Sequence, residues 1–110
     1  MRKNQPFYRL GQVQRRQITI CLSLIDQYHA GCLSNGRQRA LAQMLEQELT
    51  GRQLDYLRHY YVSALTHRQI ARQVGRSPST VSRGILRAEE KFLQVMERCR
   101  PFWGEDFLDR

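Results

Sequence analysis

Acidic residues are missing from the whole stretch between Thr66 and Ala88, where five arginines stand unopposed: Arg68, Arg72, Arg76, Arg83 and Arg87. Lysine is scarce throughout, so that 16 of the 18 basic residues are arginine and the formal net charge is +8. This balance favours a polyanionic partner, and arginine favours fork-like contacts to phosphate and guanine. No apolar run approaches the ~18 residues of a membrane span. The opening MRKNQPFYRL also lacks the apolar core of a signal peptide, and a cytoplasmic location is expected. The three cysteines include no C-x-x-C pair, which argues against a disulfide framework or a zinc site. Cys21, Cys32 and Cys99 each fall on an apolar helical stripe and are expected as buried free thiols. His29, His59 and His67 share no metal-ligand spacing, and no glycine-rich phosphate loop is present. The carboxylates are scattered or occur as surface neighbours such as Glu89 and Glu90, so neither catalysis, a metal nor a cofactor is expected. With 110 residues the expectation is one domain, too short for a DNA-binding module plus a catalytic domain.

What is present is a well-punctuated run, LTHRQIARQVGRSPSTVSRGILRA, from Leu65 to Ala88. Thr66 can cap a helix, with Gln69 placed to reach back in a capping box. Ile70, Ala71 and Val74 share one face of that helix. Gly75 stands where the chain must leave it, a position that favours a residue without a β-carbon. Ser77 and Pro78 start the next helix, since serine caps and proline is tolerated in a first turn. With Val81 inward and about 100° per residue, Ile85, Ala88, Phe92, Val95 and Cys99 stay on one side. Ser79, Arg83 and Arg87 lie opposite, with Thr80 and Ser82 on the flanks.

Small hydroxyl residues and arginines on one helix face suit the major groove of double-stranded DNA, where arginine donates two parallel bonds to guanine. A charge run alone would more often be a solvated surface. The turn chemistry, the inward pattern and the one-signed face together favour DNA. On this reading Ser79, Thr80, Ser82 and Arg83 face base edges. Thr66, His67, Arg68, Arg72, Arg76, Ser77 and Arg87 contact phosphates.

The remaining chain reads as an all-α bundle of about five helices. Residues 1–9, with Arg2, Lys3 and Arg9, form a flexible basic arm that either tracks phosphates or is a solubilising tail. Residues 10–49 form a helical pair. The first helix, about 12–28, carries Ile18, Cys21, Leu22, Ile25 and Tyr28, with Ile20 and Leu24 widening the stripe toward a second contact in the domain or with another protein. The second, about 37–48, turns Leu41, Met44, Leu45 and Leu49 inward. Thr50 and Gln53 then open a third helix whose Leu54, Leu57, Tyr61 and Leu65 face the core, leaving Arg52, Arg58 and His59 more exposed. Tyr56, Tyr60 and Tyr61 are expected to pack with their hydroxyls at the edge. The last helix should run to about Cys99 and end at Arg100-Pro101, with Leu86 and Leu93 a heptad apart on its shoulder. The aromatic, acidic tail 101–110 either folds back as a lid or docks another protein.

The run from Leu49 to Lys91, LTGRQLDYLRHYY before LTHRQIARQVGRSPSTVSRGILRAEEK, resembles the fourth conserved region of bacterial sigma factors, which reads the upstream promoter element. The resemblance covers about two fifths of the chain, within the segment 50–100, and implies a C-terminal helix-turn-helix with a long recognition helix. GRSPSTVSR also resembles the helix-turn-helix of some insertion-sequence transposases, whose catalytic domain has no counterpart here. Arg76 departs from the sigma pattern, where a small aliphatic is common. Gly84 departs too, and should loosen the recognition helix by roughly 1 kcal/mol relative to alanine. Nothing in residues 1–48 looks like the promoter-melting segment, so the chain alone is not expected to initiate transcription. Two roles stay open: a stand-alone regulator, with a homodimer among the options, or the promoter-reading half of a split sigma factor that meets RNA polymerase core with a second sigma-like subunit. The alternative from another class is a protein-interaction module that binds polymerase or an acidic partner without reading DNA.

Overall fold

The computed structural model describes residues 10–103, with side chains through Cys99. The basic arm 1–9 and the tail residues 104–110 lie outside the described residues. The chain is all-helical, in the order α1 (Gln12–His29), α2 (Gly36–Glu48), α3 (Gly51–Leu57), a π turn (Arg58–Val62), α4 (His67–Val74) and α5 (Pro78–Trp103). Among the described residues there is no strand, and no helix is long and apolar enough to cross a membrane.

The helix starts follow the local chemistry of the sequence. Asn35 caps α2 by accepting from the Gln38 amide. Thr50 and Thr66 each accept from the amide three residues on, while Gln53 and Gln69 accept from the cap amide in return. Both capping boxes are therefore complete, and each cap contributes about 1 kcal/mol.

Two apolar cores share the helices. The larger joins Ile18, Leu22 and Ile25 of α1 to Leu41 and Leu45 of α2, Leu54 and Leu57 of α3, and Ala88, Phe92, Val95 and Cys99 of α5. The smaller gathers Tyr56, Ile70, Ala71, Val81 and Ile85, with Tyr60, Leu65 and Val74 packed at its edge. One helix, α5, thus serves both, its first two turns in the small core and the rest in the large one. All six positions expected to face inward along it are buried. The wide stripe of α1 is used inside the molecule, since Leu24 is buried and Ile20 packs on the large core.

Four expectations are corrected. Cys32 is exposed, because α1 stops at His29 and Gly31, at φ 75°, turns the chain so that Leu33 takes the buried position. The third helix does not keep its pitch. The π turn inserts a residue after Leu57: Tyr56, before it, is the buried ring, while Tyr61 and Leu65, after it, are half-buried at the edges of the large and small cores. Arg58 and His59 are half-buried rather than exposed, and Arg58 bonds Asp26 of α1 at 2.8 Å. Finally, α5 passes Arg100 and Pro101 and ends at Trp103. A proline removes one backbone bond but keeps a helical φ, which a last partial turn tolerates.

Gly84 has a packing role that its helix propensity conceals. A β-carbon there would lie 2.2 Å from Cε2 of Tyr56, whose ring is 3% exposed and closes the small core. By propensity alone Gly84→Ala would stabilise α5 by up to about 1 kcal/mol, whereas overpacking typically costs about 1–3 kcal/mol. Gly84→Ala is therefore expected to lower stability in urea unfolding, and Tyr56→Leu in the same chain to recover part of the loss. A plain gain from Gly84→Ala would contradict the contact. The thiols provide a second check. Burial pushes Cys21 up to about 12, and Cys99 is also buried, so a thiol reagent on the folded protein should label Cys32 and spare the other two.

Candidate functional site

The site is built by α4, the turn after it and the first turns of α5. Gly75 takes a left-handed conformation, φ 71° and ψ 37°, as the C-cap of α4. The amides of Gly75 and Arg76 both return to the Ala71 carbonyl, which fixes the exit of the helix. Ser77 then starts α5: its Oγ accepts from the Thr80 amide at 3.2 Å and its hydroxyl donates to Thr80 Oγ1 at 2.9 Å. The short turn and the small core between Ile70, Ala71, Val81 and Ile85 together set the angle between the two helices.

This frame turns a single sign of charge outward. Arg68 and Arg72 on α4, Arg76 in the turn, and Arg83 and Arg87 on α5 are all exposed, and none pairs with a carboxylate among the described residues. Ser79 is exposed beside them. The acids begin only at Glu89 and Glu90. Lys91 and Arg98, further along α5, are engaged by Glu48 of α2 at 3.6 and 3.0 Å. The Arg98 contact first, then Lys91, holds the Glu48 carboxyl below its usual range.

The other expected contact residues have local partners. Thr66 and Ser77 use their hydroxyls as caps. Thr80 is half-buried against Ser77, and Ser82 is half-buried with its Oγ hydrogen-bonded to His67 Nδ1 at 2.6 Å. His67 itself lies on the Tyr60 ring, 5.1 Å between centroids. The structure thus leaves Ser79 and Arg83 outward and uses Thr80 and Ser82 to brace α5 against the turn and α4. Their hydroxyls are legible as polar flanks, but the partner of Ser82, fifteen residues away in sequence, is not.

Sequence reasoning missed Glu89. Rather than a surface neighbour of Glu90, it is 9% exposed, and the Tyr61 hydroxyl donates to it. Burial raises its pKa, opposed by the Tyr61 bond, Arg15 and His67, with the Arg15 guanidinium 5.9 Å from the Tyr61 ring centre. Tyr61 is raised in turn, by burial first and by the neighbouring carboxylate. These groups form a polar seam between the two cores, and the π turn is what points Tyr61 into it.

Because the folded state binds the Glu89 proton more tightly than the unfolded chain, this group favours folding at low pH. That contribution is lost as pH rises from the ordinary carboxylate range through its raised value. Glu89→Gln keeps an acceptor for Tyr61 and removes the titration. The variant should exceed the wild type in stability at neutral pH, and the difference between their pH–stability curves should shrink on acidification; parallel curves would refute the assignment. Comparison with protein-family models, with curated proteins and with solved structures finds no match for the chain.

Proposed function

We propose that the protein reads double-stranded DNA in a sequence-specific way, with α4 and α5 acting as a helix-turn-helix and α5 as the recognition helix in the major groove. The observation that carries this reading is the exposed arginine face on a rigidly capped helix pair. From Pro78 to Arg87 the helix spans about 15 Å, enough to cross a groove about 12 Å wide before the first acids are reached. In this reading Arg83, with Ser79 one turn before it, would meet base edges, and both are exposed. In the same reading the exposed Arg68, Arg72, Arg76 and Arg87 would contact the phosphate backbones, joined by His67 and the start of α4.

The likeness of residues 49–91 to sigma region four supports a role in bacterial transcription, as a regulator or as the promoter-reading partner of a second sigma-like subunit on polymerase core. In that setting the protein works in the cytoplasm. The alternative, a helical adaptor that meets polymerase or an acidic partner without reading DNA, differs in one measurable respect: it would enrich no sequence from a random duplex pool.

The two classes of arginine separate by experiment. Arg83→Ala should cost about 1–3 kcal/mol of binding and relax preference at one base pair. Arg72→Ala should weaken all duplexes alike and reduce the slope of log affinity against log salt by about one. Both are read by titrating the selected and scrambled duplexes across a salt series. Equal, sequence-independent losses for the two variants would overturn the assignment.

A further inference from the structure

Among the described residues, three large apolar side chains are exposed: Val13, Val62 and Leu86. Isolated exposed apolar residues are common on protein surfaces and need no account of their own. Leu86 differs in its position. It is 50% exposed on α5, between Arg83 and Arg87, on the face that carries no acid before Glu89 and Glu90. Ser79, Ser82, Arg83 and Leu86 are spaced three, one and three residues apart, so they follow one side of the helix over two turns. Base-reading helices present their contacts over a span of this kind.

Of these four, Ser82 is turned toward His67, which leaves Ser79, Arg83 and Leu86 facing outward. Leucine has no hydrogen-bonding group, and the apolar feature that a base offers in the major groove is the C5-methyl group of thymine. Resting on the groove reading proposed above, we infer that Leu86 is a specificity-determining residue that packs on a thymine methyl. Its register follows from helix geometry. Leu86 lies three residues, about 4.5 Å, along α5 from Arg83, so the thymine is a neighbour of the base pair that Arg83 reads. Small side chains at Ser79 and Ser82 let the helix approach closely enough for a side chain as short as leucine to reach the groove floor.

The test uses the full chain. Duplexes are selected from a random pool at about 0.15 M salt, and each thymine of the selected site is then exchanged singly for deoxyuridine, which removes the methyl and nothing else. The wild type should lose about fourfold in affinity, the worth of one buried methyl, at the thymine beside the base pair whose preference Arg83→Ala relaxes. Leu86→Ala should bind the thymine duplex more weakly by at least that factor and be indifferent to the exchange. Because Leu86 is exposed, the variant should unfold at the same temperature as the wild type, which separates lost reading from lost folding. A selected site in which no thymine is methyl-sensitive, or one where Leu86→Ala keeps the full thymine-to-uracil penalty, overturns the inference and leaves the groove reading standing. A pool that yields no enriched sequence overturns the groove reading, and this inference with it.

Discussion

The constraint on which the molecule depends is that one helix must satisfy two cores at once. The apolar stripe of α5 runs unbroken through Val81, Ile85, Ala88, Phe92, Val95 and Cys99, all buried. Its first part clamps α4 through Ile70 and Ala71, and the rest is locked among α1, α2 and α3. Each fully buried aliphatic or aromatic side chain contributes about 1.5–3 kcal/mol, so α5 cannot rotate about its axis without losing several at both ends. That fixed rotation decides which residues face solvent. Arg83 and Ser79 are outward because Val81 and Ile85 are inward.

Polar groups set the junction between the cores, at some cost. A carboxylate as buried as Glu89 is tolerated because the Tyr61 hydroxyl donates to it and the Arg15 guanidinium lies close to the same ring. The seam needs Tyr61 aimed toward α5, and the π turn at Arg58–Val62 supplies that aim by adding a residue to the helical repeat. The chain then leaves the π turn through Ala64 at φ 56°, a left-handed conformation that costs a non-glycine residue about 1–2 kcal/mol. Backbone strain is thus spent where the orientation of α4 is decided, three residues before its N-terminus. On the other side of α5, Tyr56 fills the space that the missing β-carbon of Gly84 leaves. Contacts on opposite flanks, Tyr56 on Gly84 and His67 on Ser82, hold the same two turns of the helix.

These features divide by how local their causes are. Both capping boxes, the left-handed Gly75, the Ser77 cap and the inward stripe of α5 were legible because each depends on residues within one or two turns of chain. Cys32 was misread because helical periodicity was extended past Gly31, a single residue whose backbone conformation moved the burial to Leu33. Tyr61 and Leu65 do pack on the cores but stay half-buried, since the π turn breaks the constant pitch across residues 54–65 and no local residue type marks such a turn. Glu89 looked like half of a surface pair because its partner, Tyr61, is 28 residues away in sequence. Gly84 looked like a weakness for the same reason, since Tyr56 reaches it from another helix. A pattern in the sequence shows which side of a helix is buried, but not which distant group will fill a gap on it.

The two halves of α5 also differ electrostatically, and the difference bears on what the molecule can approach. In the half buried by the large core, Lys91 and Arg98 are both engaged by Glu48, while Glu90 and Glu97 add negative charge to the outer side. In the half buried by the small core, Arg83 and Arg87 have no described carboxylate within ion-pair distance, and Arg68, Arg72 and Arg76 join them from α4 and the turn. The α4–α5 end thus carries five exposed arginines and no acid between Thr66 and Ala88. Charges paired within the molecule attract a polyanion weakly, whereas unpaired exposed ones release its counterions on contact. On the proposed groove reading, a duplex at the α4–α5 end would meet charges not already paired with a described carboxylate. There the caps and both flanking contacts have already fixed the helix, so little further ordering would be required for Arg83 to meet a base edge.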